Sequence, residues 1–425
     1  MSAVDFRRSL LVLLFAVAAF WGSSSPAQAQ LLSGCTCPAG LTPAAGNTCF
    51  RPGFGTVSAI CPYRDVGHIA AQLQQQSFWG ITTVLQQKRD QLQYTMIPGA
   101  ASSSAGNRSA ANAGTTTLGY ASEPGQTNKL ANPLASRLYD DAAPSAAPQN
   151  PVWGTWVQGL ADAEHDLALS PVDVAHVTNI YAAQAGLDRT QQGLFSANDA
   201  LVVGIVSSWT DARTGYGSSP VTMRMTGPGV GIYSEYIKGG FSTDLTTKFD
   251  FLNLNQDFAG AAPNLSIGVL NAGVNGNAQY KVTGVWGNDS NFIEPTAGFS
   301  LTHTSFAPGA GALGLEDAYT VRLQAGARIG TSWDVGNGVS IDGSLKSLVY
   351  GDAVAQGTSI SQTATTSGFS TPSISPSDEG LVRGEIDPEL AFNFPENYSL
   401  TASAQFRFGR DMTGGSASLN LRKQW

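Results

Sequence analysis

Long apolar runs are almost absent from this sequence of 425 residues. The one apolar run, residues 10–21, follows two arginines and precedes a small-x-small site at residues 27–29, which is the pattern of a secretory signal. No other stretch reaches about 18 continuous apolar residues, so we expect no transmembrane helix. We therefore predict a signal peptide over residues 1–29 and an exported chain that begins at Gln30.

Charged residues are also scarce, at 13% of the chain, and acidic ones are in excess, giving a formal net charge of -8. An acidic chain is poorly suited to phosphate backbones, so we predict no nucleic-acid partner. Histidine occurs only four times, and neither a Gly-x-Ser-x-Gly elbow nor a His-Glu-x-x-His helix is present. We therefore predict no enzyme, with no catalytic residues, no metal site and no cofactor.

One group of acidic residues surrounds a histidine: Asp162, Glu164, His165 and Asp166. We expect this segment in the first surface loop, with its charges in solvent. The two alternatives are a divalent-cation site and a histidine oriented by carboxylates, as some outer-membrane proteases require.

Cysteine is confined to the region just after the predicted signal, at Cys35, Cys37, Cys49 and Cys61. In an exported chain an even, clustered set predicts two disulfides, which would stabilise a Cys-rich segment over residues 30–66 that is too small for a core of its own. Cys35 and Cys37 are too close in sequence to form a disulfide without strain. Two pairings remain: Cys35–Cys49 with Cys37–Cys61, or Cys35–Cys61 with Cys37–Cys49. Lipidation of Cys35 in a lipobox-like sequence and a zinc site with His68 are the alternatives.

Helical periodicity follows over residues 67–98, where apolar side chains recur at helical spacing and Pro98 ends the pattern. The pattern predicts an amphipathic helix that packs on the small module or on a copy of itself. The alternative is a helix that threads a barrel lumen. Residues 99–150 are rich in Ala, Ser, Gly and Pro and are predicted to be a flexible linker, in which residues 130–141 could form a short lumen helix.

Apolar and polar residues alternate from about residue 151 to the end of the chain. Segments 241–251, 319–330 and 400–408 show the alternation best, and each has the length of about ten residues that a tilted strand needs to cross a bilayer. Connections tend to alternate between short and long, as in outer-membrane barrels. We predict an all-β domain over residues 151–425, an antiparallel transmembrane β-barrel. About twelve strands are expected near 152–162, 178–188, 200–209, 229–237, 240–252, 277–286, 291–302, 318–331, 339–350, 382–393, 398–408 and 415–425.

Charged residues on these strands fall on the polar face. They would be costly against lipid but are tolerated in a wet lumen, so we predict that they line the lumen. The set comprises Arg322, Arg328, Arg383, Arg407, Arg422, Asp244, Glu294, Asp342, Glu385, Asp387 and Glu389. We interpret it as a charge network that stiffens the barrel; the alternative is that it holds a plug helix or sets an ion preference. The arginines all lie on predicted strands eight to twelve, which would polarise the lumen.

Aromatic residues lie near the predicted strand ends, where rings at the headgroup level form the two girdles of a membrane barrel. They are Trp153, Trp156, Trp209, Tyr233, Tyr236, Trp286, Phe299, Tyr350, Phe392, Tyr398 and Trp425. The final strand carries Leu419 and Leu421 on one face and ends at Trp425. In the outer-membrane barrels that the sequence resembles, such a strand is the assembly signal, although Lys423 stands where an apolar residue or tyrosine is usual.

Four segments resemble the β-domains of autotransporters, the type V secretion family. Residues 152–160 (VWGTWVQGL) and 182–189 (AAQAGLDR) resemble the first two strands, residues 229–244 (GVGIYSEYIKGGFSTD) a central hairpin, and residues 292–300 (FIEPTAGFS) a later strand. The resemblance covers residues 151–425. It implies a twelve-stranded barrel with a helix through its pore, which moves or helps to move an N-terminal passenger to the cell surface.

The exported segment is short for such a passenger and shows no repeat. The chain also lacks the Asn-Asn junction at which some family members cleave, so we expect the passenger to stay attached. We predict an outer-membrane translocator that displays its own N-terminal segment. The alternative is an anchor or diffusion pore whose N-terminal segment stays periplasmic or plugs the lumen. The expected partners are outer-membrane lipid, the barrel assembly machinery and a surface ligand of unknown identity.

Overall fold

The computed structural model describes residues 42–44, 48–51, 55–58, 66–96, 152–167, 175–216, 221–258, 265–287, 290–308, 310, 315, 317–356, 382–410 and 412–425. The predicted signal peptide, the predicted linker and the cysteine side chains lie outside the described residues. The disulfide pairing therefore stays a prediction.

A small antiparallel sheet and one long helix precede the barrel in the sequence. The sheet consists of β1 (Thr42–Ala44), β2 (Thr48–Arg51) and β3 (Gly55–Ser58), in that order. Helix α1 covers Val66–Met96, a length of 31 residues. Among the described residues, no helix is both long enough and apolar enough to cross a membrane.

The remaining strands form one closed antiparallel sheet. Its strands are β4 (Val152–Asp166), β5 (His176–Gln192), β6 (Asp199–Tyr216), β7 (Val221–Lys238), β8 (Phe241–Phe258), β9 (Leu265–Tyr280), β10 (Val282–Thr283), β11 (Phe292–Phe306), β12 (Ala318–Gly336), β13 (Val339–Gln356), β14 (Val382–Phe394), β15 (Tyr398–Phe408) and β16 (Met412–Gln424). Each long strand pairs with its neighbours in the chain, β11 pairs with β9, and β16 pairs with β4. The two-residue β10 only extends the edge of β11, so the barrel has twelve long strands, as the sequence predicted.

The two mouths of the barrel differ. At one mouth the strands are joined by turns such as residues 239–240 and 337–338, and the barrel both begins there, at Val152, and ends there, at Gln424. At the other mouth the connections include residues 357–381. We call these ends the short-turn mouth and the long-loop mouth.

Apolar and polar side chains alternate along each strand because the outer face of the barrel contacts lipid and the inner face lines a polar lumen. In β8, Phe241, Leu245 and Phe249 are exposed on the outer surface, whereas Thr246 and Lys248 are buried on the inner one. A strand in lipid must turn its apolar side chains outward, and a closed sheet leaves no backbone group unpaired. This arrangement confirms the predicted polarity of the faces.

The polarity of the faces reverses towards the long-loop mouth. In β8, Leu252 and Leu254 face inward and are buried, while Asn253 between them is exposed. In β7, Met225 is likewise buried and Arg224 is exposed. Because polar outer faces are disfavoured in hydrocarbon, these strand ends project beyond the lipid.

Several strand limits differ from the predicted ones. The strand expected at residues 277–286 covers Leu265–Tyr280, because its first half belongs to the region of reversed polarity and does not follow the expected apolar pattern. The strand expected to begin at residue 229 begins at Val221. Pro228, which cannot donate a backbone hydrogen bond, lies within β7; the pairing with β8 is interrupted between Thr226 and Gly229 and then resumes.

The predicted aromatic girdles are only partly correct. Trp153, Trp209, Trp286, Phe299, Tyr398 and Trp425 are exposed. Trp156, Tyr233 and Tyr350 are instead buried inside the barrel, so their assignment to the girdles was wrong. The strand phase places these three side chains on the inner face, where they fill space in the lumen.

Candidate functional site

Helix α1 lies inside the barrel. Gln72 Nε2 donates to Asp162 Oδ2 of β4 at 3.2 Å, and on another side Gln75 Nε2 donates to Ser300 Oγ of β11 at 2.5 Å. The helix also contacts β5, β6, β7, β8, β9 and β12, strands that lie all around a closed sheet. Of the two interpretations of the sequence, the structure supports threading through the lumen rather than packing on the small module or on a copy.

The direction of the helix is defined by contacts at its two ends. Val66 and Leu73 belong to an apolar cluster with Leu254, which lies in the strand ends near the long-loop mouth. At the other end, Gln93 Nε2 donates to the carbonyl oxygens of Gly239 and Gly240, at 3.2 and 3.3 Å, in a turn at the short-turn mouth. Helix α1 is about 46 Å long at about 1.5 Å per residue, enough to cross a hydrocarbon layer of about 30 Å.

The composition of α1 suits a polar lumen. The helix contains eight glutamines, and its few charged residues are concentrated at Lys88, Arg89 and Asp90. Neutral amides can exchange hydrogen bonds with the wall without the desolvation cost of an ion. For example, Gln184 Nε2 of β5 donates to Ser77 Oγ at 2.8 Å.

Glycine allows close approach between the helix and the wall at two positions. A Cβ atom at Gly80 of the helix would lie 2.7 Å from Oε1 of Gln158 in β4. A Cβ atom at Gly273 of β9 would lie 2.7 Å from Cγ of Gln74 and 2.8 Å from Cζ of Phe78. Both distances are too short for a Cβ atom unless a neighbouring side chain moves, so glycine at these positions lets the helix pack closely against the wall.

Three consecutive charged residues of α1 point to different parts of the wall, because each step along a helix turns by about 100°. Lys88 contacts Asp188 of β5. Arg89 donates to Glu235 of β7 at 3.1 Å and to Glu294 of β11 at 2.9 Å. These contacts fix the rotation of the helix about its axis.

Asp90 completes this set of ion pairs. It accepts hydrogen bonds from Arg328 of β12 at 2.7 and 2.8 Å and from Lys281 at 2.7 Å. Arg328 also donates to Glu294, the partner of Arg89, at 3.0 Å. We call the three helix residues and their wall partners Asp188, Glu235, Glu294, Arg328 and Lys281 the charge clamp.

A second layer of polar contacts supports the charge clamp at Asp188. Arg422 Nη2 lies 2.7 Å from both carboxylate oxygens of Asp188. Tyr233 donates its hydroxyl to Asp188 at 3.1 Å and accepts from Trp156 Nε1 at 2.8 Å. The two aromatic side chains that were expected in the girdles therefore hold the partner of Lys88 in place.

The structure places all eleven predicted lumen charges on the inner face of the barrel. Arg328, Arg383, Arg407, Arg422, Asp244, Glu294 and Asp387 are buried. Arg322, Asp342, Glu385 and Glu389 are partly buried. Arg328 and Glu294 of this set pair directly with charged residues of α1.

The arginines of the wall face carboxylates. Arg322 Nε donates to Asp352 at 2.9 Å, and Arg383 Nη1 donates to the same residue at 3.3 Å. Arg407 contacts Asp162 and lies 3.0 Å from Glu164. Arginines of β12, β14, β15 and β16 are thus paired with acids of β4, β5, β11 and β13, and this pairing offsets the polarisation that the sequence suggested.

Sequence reasoning missed the residues that hold the helix. Lys88, Arg89 and Asp90 carried a signal, since they form the one run of charges in a glutamine-rich helix. Asp188 and Glu235 lie on strands within the segments that resemble the family. Nothing in the sequence indicates which wall residue each helix residue meets.

The acidic group expected in the first surface loop lies in β4 instead. Asp162 and Glu164 are buried on the inner face, and His165 is exposed on the outer one. The prediction of a solvated loop was wrong because β4 continues to Asp166, and period-two alternation turns every second side chain inward.

The predicted assembly signal lies on the outer surface of the closing strand. Leu419, Leu421 and Trp425 are exposed, and the backbone of Trp425 pairs with Trp153 at 3.0 and 3.1 Å. Lys423 places its Nζ atom 3.8 Å from the centre of the Tyr398 ring, a cation–π contact. Recognition of this strand by the assembly machinery stays a prediction.

A model of the autotransporter β-domain matches residues 153–405. The chain belongs to the autotransporter β-domain family. Among solved structures, the β-domain of the Bordetella autotransporter BrkA is similar at 16% identity with a TM-score of 0.50, covering 64% of this chain and 98% of that one. The transport unit of AIDA-I from Escherichia coli is similar at 13% identity with a TM-score of 0.47, covering 63% and 89%. No curated protein matches the sequence.

The family assignment agrees with the geometry of the barrel. Autotransporter β-domains are transport domains of the bacterial outer membrane. The apolar outer face and the polar lumen of this β-domain have the chemistry that such a location requires.

Proposed function

We propose that this autotransporter β-domain displays the N-terminal segment of its own chain at the cell surface. The observation that carries the proposal is the direction of α1. Val66 lies near the long-loop mouth, and the other end of the helix lies at the short-turn mouth. In bacterial outer-membrane barrels the long loops are extracellular and the short turns periplasmic, so the residues before Val66 would leave the barrel on the outside.

The distance along the chain supports this proposal. Strand β3 ends at Ser58, eight residues before the helix begins at Val66. Eight residues span at most about 28 Å at about 3.3–3.6 Å each. The small sheet would therefore stay close to the outer mouth of the barrel.

The mechanism is physical rather than covalent. The closed sheet satisfies its own backbone hydrogen bonds in lipid, and the mainly polar lumen gives a polypeptide a path across the membrane. Once α1 is in place, the charge clamp holds it and leaves the preceding segment attached outside.

Protease shaving of intact cells tests the proposal. One variant carries an epitope tag directly after Gln30, and a second and a third carry the same tag within residues 357–381 and at residues 337–338. We expect protease to remove the first two tags and spare the third until the outer membrane is permeabilised. Survival of the tag after Gln30, with loss of the tag in 357–381, would contradict surface display.

The second candidate function is a plugged pore, and the fit of α1 in the lumen favours it. Deletion of residues 30–150 removes the helix, and conductance in planar bilayers then reports whether the empty barrel passes ions. Conduction by the deletion variant, together with protection of the tag in the full chain, would favour the pore, and an exposed tag in the full chain would favour display.

A further inference from the structure

Four polar side chains from three elements meet at the long-loop mouth. His68 belongs to the first turns of α1, Glu164 and Asp166 end β4, and His176 begins β5. None of these residues belongs to the charge clamp. Glu164 and His176 are buried, and His68 and Asp166 are mostly shielded from solvent.

The spacing of the donor atoms suits a metal ion. His68 Nε2 lies 3.7 Å from Glu164 Oε1 and 3.9 Å from Asp166 Oδ1. Zinc binds nitrogen and carboxylate oxygen at about 2.0–2.2 Å, which places neighbouring ligand atoms of a tetrahedron about 3.4 Å apart. One ligand atom from each of the three residues lies within 4.8 Å of the other two, so side-chain shifts of up to about 1 Å would bring them around one ion.

The second oxygen of each carboxylate has its own partner. Glu164 Oε2 lies 3.0 Å from Arg407 Nη1, and Asp166 Oδ2 lies 3.0 Å from His176 Nε2. Metal-binding carboxylates are commonly oriented by such outer contacts, which leave the other oxygen directed at the ion. His176 is therefore a positioning residue.

A cavity adjoins this group and leaves room for a further ligand. Its volume is about 20 Å³, enough for a water molecule, and it is lined by His68, Gln72, Glu164 and Asp352, among others. Gln72 is 5% exposed, and its Oε1 atom accepts no hydrogen bond from any described residue. A water molecule on the ion could fill the fourth position and donate to an acceptor of this kind.

We propose that His68, Glu164 and Asp166 bind a divalent transition-metal ion of the zinc class. A histidine nitrogen with two carboxylate oxygens suits zinc better than calcium or magnesium, which prefer oxygen alone. The ion joins the start of α1 to β4 and so fastens the helix at the long-loop mouth, far along the chain from the charge clamp. This inference does not depend on surface display.

Metal titration of the full chain tests the site. The protein is purified in detergent without a polyhistidine tag, with its cysteine thiols blocked, and is titrated with Zn²⁺ and with Co²⁺ as a spectroscopic probe. We expect one equivalent to bind and to raise the Tm. His68→Gln should weaken binding at least tenfold and remove the cobalt d–d bands.

The matched control is His165→Gln, because His165 lies on the exposed outer face of the same strand. This variant should bind as the unmodified protein does. His176→Gln should weaken binding by about 10- to 100-fold if it positions Asp166. Absence of stoichiometric binding, or equal binding by His68→Gln and the unmodified chain, would overturn the proposal.

Discussion

Asp90→Asn tests whether the charge clamp holds α1 in the lumen. Asp90 is 7% exposed and accepts hydrogen bonds from Arg328 at 2.7 and 2.8 Å and from Lys281 at 2.7 Å. The substitution preserves the shape of the side chain but removes its charge. Two buried cations then face a neutral amide, although Arg328 keeps its contact with Glu294.

The expected cost follows from the burial of the pair. Removal of one partner of a buried ion pair costs about 3–5 kcal/mol, because the other charge is left uncompensated. Since the barrel strands are unchanged, the lost free energy is that which holds α1 in the lumen. At about 1.4 kcal/mol for each factor of ten, the equilibrium between the helix bound in the lumen and the released helix shifts by roughly 100- to 4,000-fold.

Single-channel recording in planar bilayers measures this shift as the fraction of time that the barrel conducts. Asp211→Asn is the control, since Asp211 pairs with Arg224 on the outer face near the long-loop mouth, where an exposed pair contributes less than about 1 kcal/mol. Equal open fractions for Asp90→Asn, Asp211→Asn and the unmodified chain would refute the role of the charge clamp.

Two further predictions concern packing and assembly. Gly273→Val places a side chain against Gln74 and Phe78, so α1 should become accessible to protease; Gly159→Val, where no atom lies within 4 Å of a Cβ, should leave it protected. Trp425→Ala should lower the yield of inserted barrel several-fold in an outer-membrane fraction, whereas Trp286→Ala, an exposed aromatic outside the last strand, should not. Protection of α1 in Gly273→Val, or equal yields for the two tryptophan variants, would contradict these predictions.

The barrel could be predicted from the sequence because lipid imposes a simple rule on each strand. Phe241, Leu245 and Phe249 face outward and Lys248 faces inward, as period-two alternation requires. This rule applies only to the part of each strand that lies in lipid. Beyond it Leu252 and Leu254 face inward, so the pattern no longer identifies the strand, although the sheet continues.

The contents of the lumen were harder to predict, because they depend on which residues meet across the barrel. The sequence gives the run of charges at residues 88–90, but their partners come from distant strands. The group around His68 was equally hard to predict, since it brings a helix residue together with residues of β4 and β5 that are distant in sequence. Trp156 illustrates a further limit, since a tryptophan near a strand end is compatible with either face.

The charge clamp also determines which part of the chain can be replaced by a foreign sequence. Lys88, Arg89 and Asp90 pair with different strands of the barrel and so determine both the rotation of α1 and its position along the barrel axis. A foreign helix would need the same three residues at the same positions. All three residues lie within α1, downstream of Val66. A foreign domain joined upstream of Val66 would therefore leave the position of α1 in the lumen unchanged. This makes the position before Val66 a suitable junction for a fusion designed to test surface display.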